Sequence, residues 1–318
     1  MHSYRLPRFI FLGVAFVTST VQATNALHFP KEKSGQAWVA PEQSVNALLR
    51  NGNEIFLLAQ KKNILVKHPF DSSLPPLKRF KNTTDTQRWD LPKDINLTAW
   101  RGIEKYRDTL ILLEGVHLSF GIWSLKDNKE LHRFTIPRDL IKSTGDAIGE
   151  PTHAEIARNR TRFSQEFDQA KEKPKFVGIK LIPDSIKHQD RVEFLVTTKL
   201  PSFALIKIGC TDDADLGSCR IQRVCDLPLT ADKKGRAING LAYSAKRNLF
   251  LIAQNDDKLL YGFEYKTCAH IRLVKTIHLP KELKSISQIH VDQDDRLWVT
   301  SFDPDDRQDS SVVYFEAW

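Results

Sequence analysis

From about residue 45 onward the chain alternates short apolar runs with polar turns. Glu54–Ala59, Asn63–Lys67, Thr109–Leu113, Val192–Thr197, Asn248–Ala253 and Arg296–Thr300 are the strongest of these runs. They are too short for helices and are rich in β-branched and aromatic side chains, which pack well on a pleated surface. Each is expected to be a central strand, and the fold class to be all-β.

A longer period contains these runs. Ile238–Tyr243, Leu249–Ala253, Leu259–Glu264 and Leu273–Ile277 form one unit of four strand-like segments, and comparable units begin near Val45, Ala99, Phe176 and Ile286. Four strands every 40 to 50 residues or so is the pattern of a β-propeller, in which sheets stack around a central channel to cover each other's apolar faces. Five units are recognisable. A sixth follows if N-terminal residues close on the C-terminal strands that end in Ser311–Phe315, so five or six blades are expected, with six preferred. Residues 137–175 do not fit the repeat. Within them Pro151–Lys171 predicts an inserted helix whose narrow apolar stripe is Ile156, Phe163 and Phe167. Glycine is scarce for a propeller, at 14 of 318 residues, so Asn and Asp are expected to take some of the turns.

The N-terminus has a different pattern. Arg5 and Arg8 precede the apolar run Phe9–Val17, and small residues follow as far as Ala23 and Ala26. At a 1.5 Å rise this run covers about half of a ~30 Å hydrocarbon core. It therefore suits a cleaved secretory leader, residues 1–26, and not a membrane span. The propeller domain is then 27–318, and the location secreted or periplasmic. The formal charge of +8 includes the two leader arginines, and the basic stretches Lys78–Lys81 and Lys233–Arg236 are short and scattered. With export, this argues against a nucleic-acid partner.

Export also sets the reading of the cysteines. Cys210, Cys219, Cys225 and Cys268 lack the close spacing of a zinc site and are expected to form disulfides. Cys210 with Cys219 across a hairpin is the first choice, which leaves Cys225 with Cys268. Asn82, Asn96 and Asn159 begin Asn-x-Thr sequons, which accept glycans in a eukaryotic source.

Candidate chemistry is sparse. The chain has no Gly-x-Ser-x-Gly elbow, phosphate loop, dinucleotide fingerprint or His-Glu-x-x-His motif. Its acidic clusters, Asp212 to Asp215, Asp292 to Asp295 and Asp303 to Asp309, read as solvated turns. Glu104 follows Gly102-Ile103 at the start of a unit, where a carboxylate can face the channel, but acid–base work needs a partner.

Two stretches resemble a known family. Ala237-Ile-Asn-Gly-Leu-Ala-Tyr243 is similar to the Asn-Gly-Leu-Ala strand of the regucalcin and gluconolactonase superfamily of six-bladed propellers, and Val291–Val299 is similar to its Asp-x-x-Gly-x-Leu-Trp-Val strand. The resemblance implies a divalent metal at the channel, commonly calcium, with Asn239 as one ligand. The family's Glu-Gly-Pro segment has no counterpart, and Ser285–Gln288 lacks its acidic ligand. The expected function is therefore that of an exported, monomeric binding propeller, taking a protein or small molecule at one face. The alternative is a calcium-dependent hydrolase of the lactonase or phosphoesterase kind.

Overall fold

The computed structural model describes residues 27–28, 37–39, 45–59, 64–70, 86–91, 100–115, 119–135, 176–183, 191–198, 204–211, 216, 218–227, 238–255, 257–267, 270–281, 283, 285–302, 310–316 and 318. Among them all regular structure is β. Two short strands come first, β1 (Leu27–His28) and β2 (Ala37–Val39). The first blade is β3 (Val45–Asn51), β4 (Glu54–Ala59), β5 (Ile64–Pro69) and β6 (Gln87–Asp90). The second is β7 (Trp100–Tyr106), β8 (Thr109–Glu114), β9 (Ser119–Ser124) and β10 (Lys129–Thr135). The third is β11 (Phe176–Leu181), β12 (Arg191–Thr198), β13 (Ala204–Thr211) and β14 (Cys219–Asp226). The fourth is β15 (Ile238–Ser244), β16 (Leu249–Gln254), β17 (Leu259–Tyr265) and β18 (Ile271–His278). The fifth is β19 (Ser285–Val291), β20 (Leu297–Phe302) and β21 (Ser310–Phe315). Within each blade, strands consecutive in sequence pair antiparallel, innermost first.

Strand composition follows depth in the blade. The second strands β8 and β16 are buried at every position, whereas the outermost strands β6 and β10 are largely exposed or half-buried. A strand covered on both faces reads as a continuous apolar run, which is why these second strands stand out in the sequence. Alternate residues of one strand enter different cores: Ile55 and Leu57 pack with Trp298, Val312 and Tyr314 of the fifth blade, whereas Phe56 and Leu58 pack with Ile103, Leu110 and Leu112 of the second. The remaining pairs of neighbouring blades share a core in the same way. Five interfaces among five sheets make a closed ring, so no blade leaves an apolar face uncovered. The architecture is a five-bladed β-propeller.

Blade number is where the structure departs from the preference for six. The N-terminal residues do close on the C-terminal strands: β2 pairs antiparallel with β21, Trp38 opposite Val312. The fifth sheet had only three strands of its own, so β2 completes it and starts no further blade. β1 adds in parallel to the outer edge of the fourth blade, beside β18. The leader 1–26, the helix expected within 137–175, and Asn82, Asn96, Asn159 and Cys268 lie outside the described residues.

Cys210 and Cys219 are opposite each other at the end of the β13–β14 ladder and are joined by a disulfide. Cys225 is also disulfide-bonded. The scarcity of glycine is resolved at the turns. Arg107, Asn128, Leu216, Asn248, Lys258 and Asp295 all adopt positive φ, a conformation that glycine would accept at lower cost.

Candidate functional site

The inner strands β3, β7, β11, β15 and β19 touch in order around the ring. Each carries a bulge near its start, at Asn46, Arg101, Val177, Gly240 and Ser287. A bulge adds local twist, and here it lies where the strands crowd most closely. A Cβ on Gly178 would meet the Gly240 carbonyl carbon at 2.7 Å, and one on Gly102 would meet Ile179 Cγ2 at 2.9 Å. The ring is therefore shut at the N-terminal ends of its inner strands.

At their C-terminal ends the strands part around a cavity of about 400 Å³, lined from blades one, two, three and five. Counting from the bulge brings Leu49, Glu104, Lys180, Tyr243 and His290 to one level, each beside the second strand of its own blade. Four of these, all but Tyr243, line the cavity. Lys180 Nζ is 2.7 Å from Glu104 Oε2, and both side chains are nearly covered. The same oxygen accepts the Leu181 N–H at 3.4 Å, and Oε1 accepts that of Lys105 at 3.1 Å. The partner that Glu104 needed thus comes from the next blade.

His290 completes this level. Its Nε2 is 3.3 Å from the Arg50 carbonyl oxygen; a carbonyl only accepts, so Nε2 carries the proton and the neutral ring leaves Nδ1 as an acceptor. Burial holds its pKa well below the ordinary 6.5; the Lys180 charge adds to this, the bond to Arg50 opposes it, and the Arg50 charge lowers it further. The linkage sign follows. Below about pH 6.5 the unfolded chain binds a proton at this histidine that the folded chain refuses, so the stability is present above that pH and lost as pH falls. The slope is about 1.4 kcal/mol per pH unit for one site. Denaturant titrations between about pH 6.5 and 5 are expected to show a shallower pH dependence for His290→Gln than for wild type, by about one proton. Equal slopes would mean that His290 titrates normally in the folded protein.

Beside the cavity Arg50 holds the first blade to the fifth. Its guanidinium bonds Asp292 and, at 2.7 Å, Asp294. Asp292 also accepts the Trp298 indole N–H at 2.8 Å and the backbone N–H groups of Asp294 and Arg296. The bond from Arg50 holds the Asp294 carboxyl below the usual range, against a smaller effect of burial. Asp295 is engaged by Ser244 and by Arg247, whose Nε is 2.8 Å away. The acidic turn expected to be solvated therefore has two of its three aspartates, Asp292 and Asp295, buried.

Asn239 is elsewhere. It is the second residue of β15, at the closed end of the ring, and its Nδ2 donates to the Ile286 carbonyl at 2.7 Å, joining blades four and five. The residues level with it in the other inner strands are Val45, Trp100, Phe176 and Ile286. None offers a side-chain oxygen, whereas calcium takes six to eight. Among the described residues no group of three or more His, Cys, Asp or Glu is placed to hold a metal ion. The inner-strand residues level with Asn239 thus bring it no second side-chain oxygen. Sequence reasoning singled out Glu104 but missed Lys180, His290 and Arg50; a count of residues from the start of each repeat would have aligned the first two with it.

No family model matches the chain, and no curated protein matches it in sequence. Solved structures similar to it include a glutaminyl cyclase from Myxococcus xanthus, at 10% identity over 91% of this chain and 97% of that one, TM-score 0.47. The β-propeller domain of Cps50 (Swd1) from Myceliophteria thermophila matches at 10% identity over 87% and 99%, TM-score 0.41. A 6-phosphogluconolactonase-like protein from Bacteroides fragilis matches at 9% identity over 87% and 68%, TM-score 0.44. At such identities the likeness concerns the propeller fold alone, and the functions in those names are as varied as propellers are.

Proposed function

We propose that the chain is an exported binding propeller that receives a small polar molecule in the cavity at the open end of its ring. The observation that carries this reading is the cavity itself, about 400 Å³ with charged residues converging from four blades. A pocket of that size suits a small ligand. Its acids are already engaged, Glu104 by Lys180 and Asp292 by Arg50, so the walls are rigid and preorganised. Binding therefore needs little further ordering of the site. The leader-like N-terminus and the Cys210–Cys219 disulfide support action outside the reducing cytosol. Among the described residues no helix is long and apolar enough to cross a membrane.

The test is a thermal-shift screen of the purified protein against small polar metabolites, neutral, cationic and anionic. The control is Gln293→Trp, which places an indole at the rim from an exposed lining residue. At least one compound is expected to raise the wild-type midpoint and leave the variant unmoved. Ligands that shift both proteins equally, or none that shift the wild type, would overturn the cavity as the binding site.

A further inference from the structure

Resting on that reading, we infer that the ligand is an uncharged sugar or polyol, one hydroxyl of which donates to His290 Nδ1 and accepts from the Lys180 ammonium. His290 is 5% exposed and lines the cavity. Its Nε2–H is committed to the Arg50 carbonyl, which leaves Nδ1 with a lone pair and no proton. That nitrogen has no hydrogen-bond partner among the described residues, yet it is not sealed from solvent, and the ring borders the cavity. An acceptor nine-tenths buried and unmatched by the protein calls for a donor from outside it. A ligand that displaces water from such an acceptor has to restore the bond in order to bind well.

The neighbours of Nδ1 narrow the chemistry of that donor. A carboxylate has no proton to give. An ammonium is opposed by Lys180, whose charge is, after burial, the largest influence keeping the ring neutral. The donor is therefore uncharged. Lys180 has three protons and gives one to Glu104 Oε2 at 2.7 Å, with no other hydrogen bond or ion pair among the described residues. A hydroxyl satisfies both neighbours with one atom, donating to Nδ1 while accepting from Nζ, where an amide needs two atoms. Glu104 Oε1 accepts the Lys105 N–H and keeps a lone pair for a second hydroxyl. An acceptor, a donor and an acceptor, from blades five, three and two at one level of the ring, suit the adjacent hydroxyls of a sugar or polyol.

The experiment is calorimetric titration of the purified protein at neutral pH with a panel of pentoses, hexoses, disaccharides and inositols. Saturable binding of at least one is expected, little changed by salt because the ligand is uncharged. His290→Gln keeps an N–H for the Arg50 carbonyl and lacks an acceptor at the Nδ1 position, so it is expected to fold and to bind about tenfold more weakly or worse. Deoxy forms of the bound polyol test the same contact from the ligand side. One of them is expected to bind the wild type about tenfold more weakly than the parent does, yet to bind His290→Gln as well as the parent does, because the missing hydroxyl has no partner there. If His290→Gln does not fold, Lys180→Gln takes its place in this cycle. No polyol bound by the wild type up to about 10 mM, or losses that simply add for every deoxy form, would overturn the inference. If no polyol binds while amides or ions shift the wild type but not Gln293→Trp, the sugar falls and the cavity stands; if nothing shifts the wild type, both fall.

Discussion

Arg50→Leu is expected to lower the unfolding free energy by about 3–5 kcal/mol, the magnitude seen when one partner of a buried ion pair is removed. The Arg50 side chain is 3% exposed and that of Asp292 is fully buried. The pair joins the first inner strand to the turn after the last one, so it acts where the ring closes. Leucine keeps apolar bulk beside Phe70, over whose ring the guanidinium lies at 4.8 Å. It leaves the Asp292 carboxylate without the guanidinium that touches it, with the Trp298 indole and two backbone N–H groups as its hydrogen-bond donors among the described residues. Most of the loss is thus the penalty of a stranded charge. Arg50→Leu combined with Asp292→Asn is therefore expected to be more stable than Arg50→Leu alone, since the amide keeps an oxygen for the turn and removes the charge. Guanidinium denaturation of the wild type and the two variants measures both effects. A cost below about 1 kcal/mol for Arg50→Leu would show that the apolar core between blades five and one closes the ring unaided.

The sequence expressed the apolar layers plainly and the polar ones poorly. The second strands Thr109–Glu114 and Leu249–Gln254 lie between two blades, so nearly every position is apolar and their runs are conspicuous. Four units were located at or within a residue of their inner strands for the same reason, and the fifth, at Val45, likewise. Blade count was harder to read because β2 is three residues long and distant in sequence from the sheet it completes. The site was harder still. Glu104 and Lys180 are 2.7 Å apart in space but 76 positions apart in the chain, and neither stands in a motif. Asp292, Asp294 and Asp295 looked like a solvated turn because their partners, Arg50, Ser244 and Arg247, come from other blades. Charge at a blade junction is paired by the closure of the ring, which local composition does not express.

Gly178→Ala is expected to cost about 3 kcal/mol or more and to loosen the junction between blades three and four. The reason is steric and not conformational, because Gly178 does not have positive φ. A Cβ there would collide with the Leu241 backbone nitrogen and come within 2.7 Å of the Gly240 carbonyl carbon and 2.8 Å of Leu241 Cβ. These belong to the neighbouring inner strand, so no rotation of a side chain relieves the overlap and the two strands must separate. Two other glycines isolate this cause. At Gly52 a Cβ meets nothing within 4 Å and only the φ of 60° is strained, so alanine there should cost about 1–2 kcal/mol. At Gly121 the new carbon meets the tip of the Glu130 side chain at 2.6 Å, a group able to swing aside. The expected order of loss in denaturant titration is Gly178 first, with Gly121 and Gly52 well behind. A Gly178→Ala protein as stable as Gly121→Ala would mean that blades three and four are not held at this separation. The displacement also reaches the open end of the ring. Lys180 lies two residues beyond Gly178 on the same strand, so spreading β11 from β15 shifts the ammonium that Glu104 holds at 2.7 Å. Any ligand of the cavity should then bind Gly178→Ala more weakly than Gly52→Ala, although neither residue lines the cavity, because tight packing at one end of the inner strands sets the spacing of charges at the other.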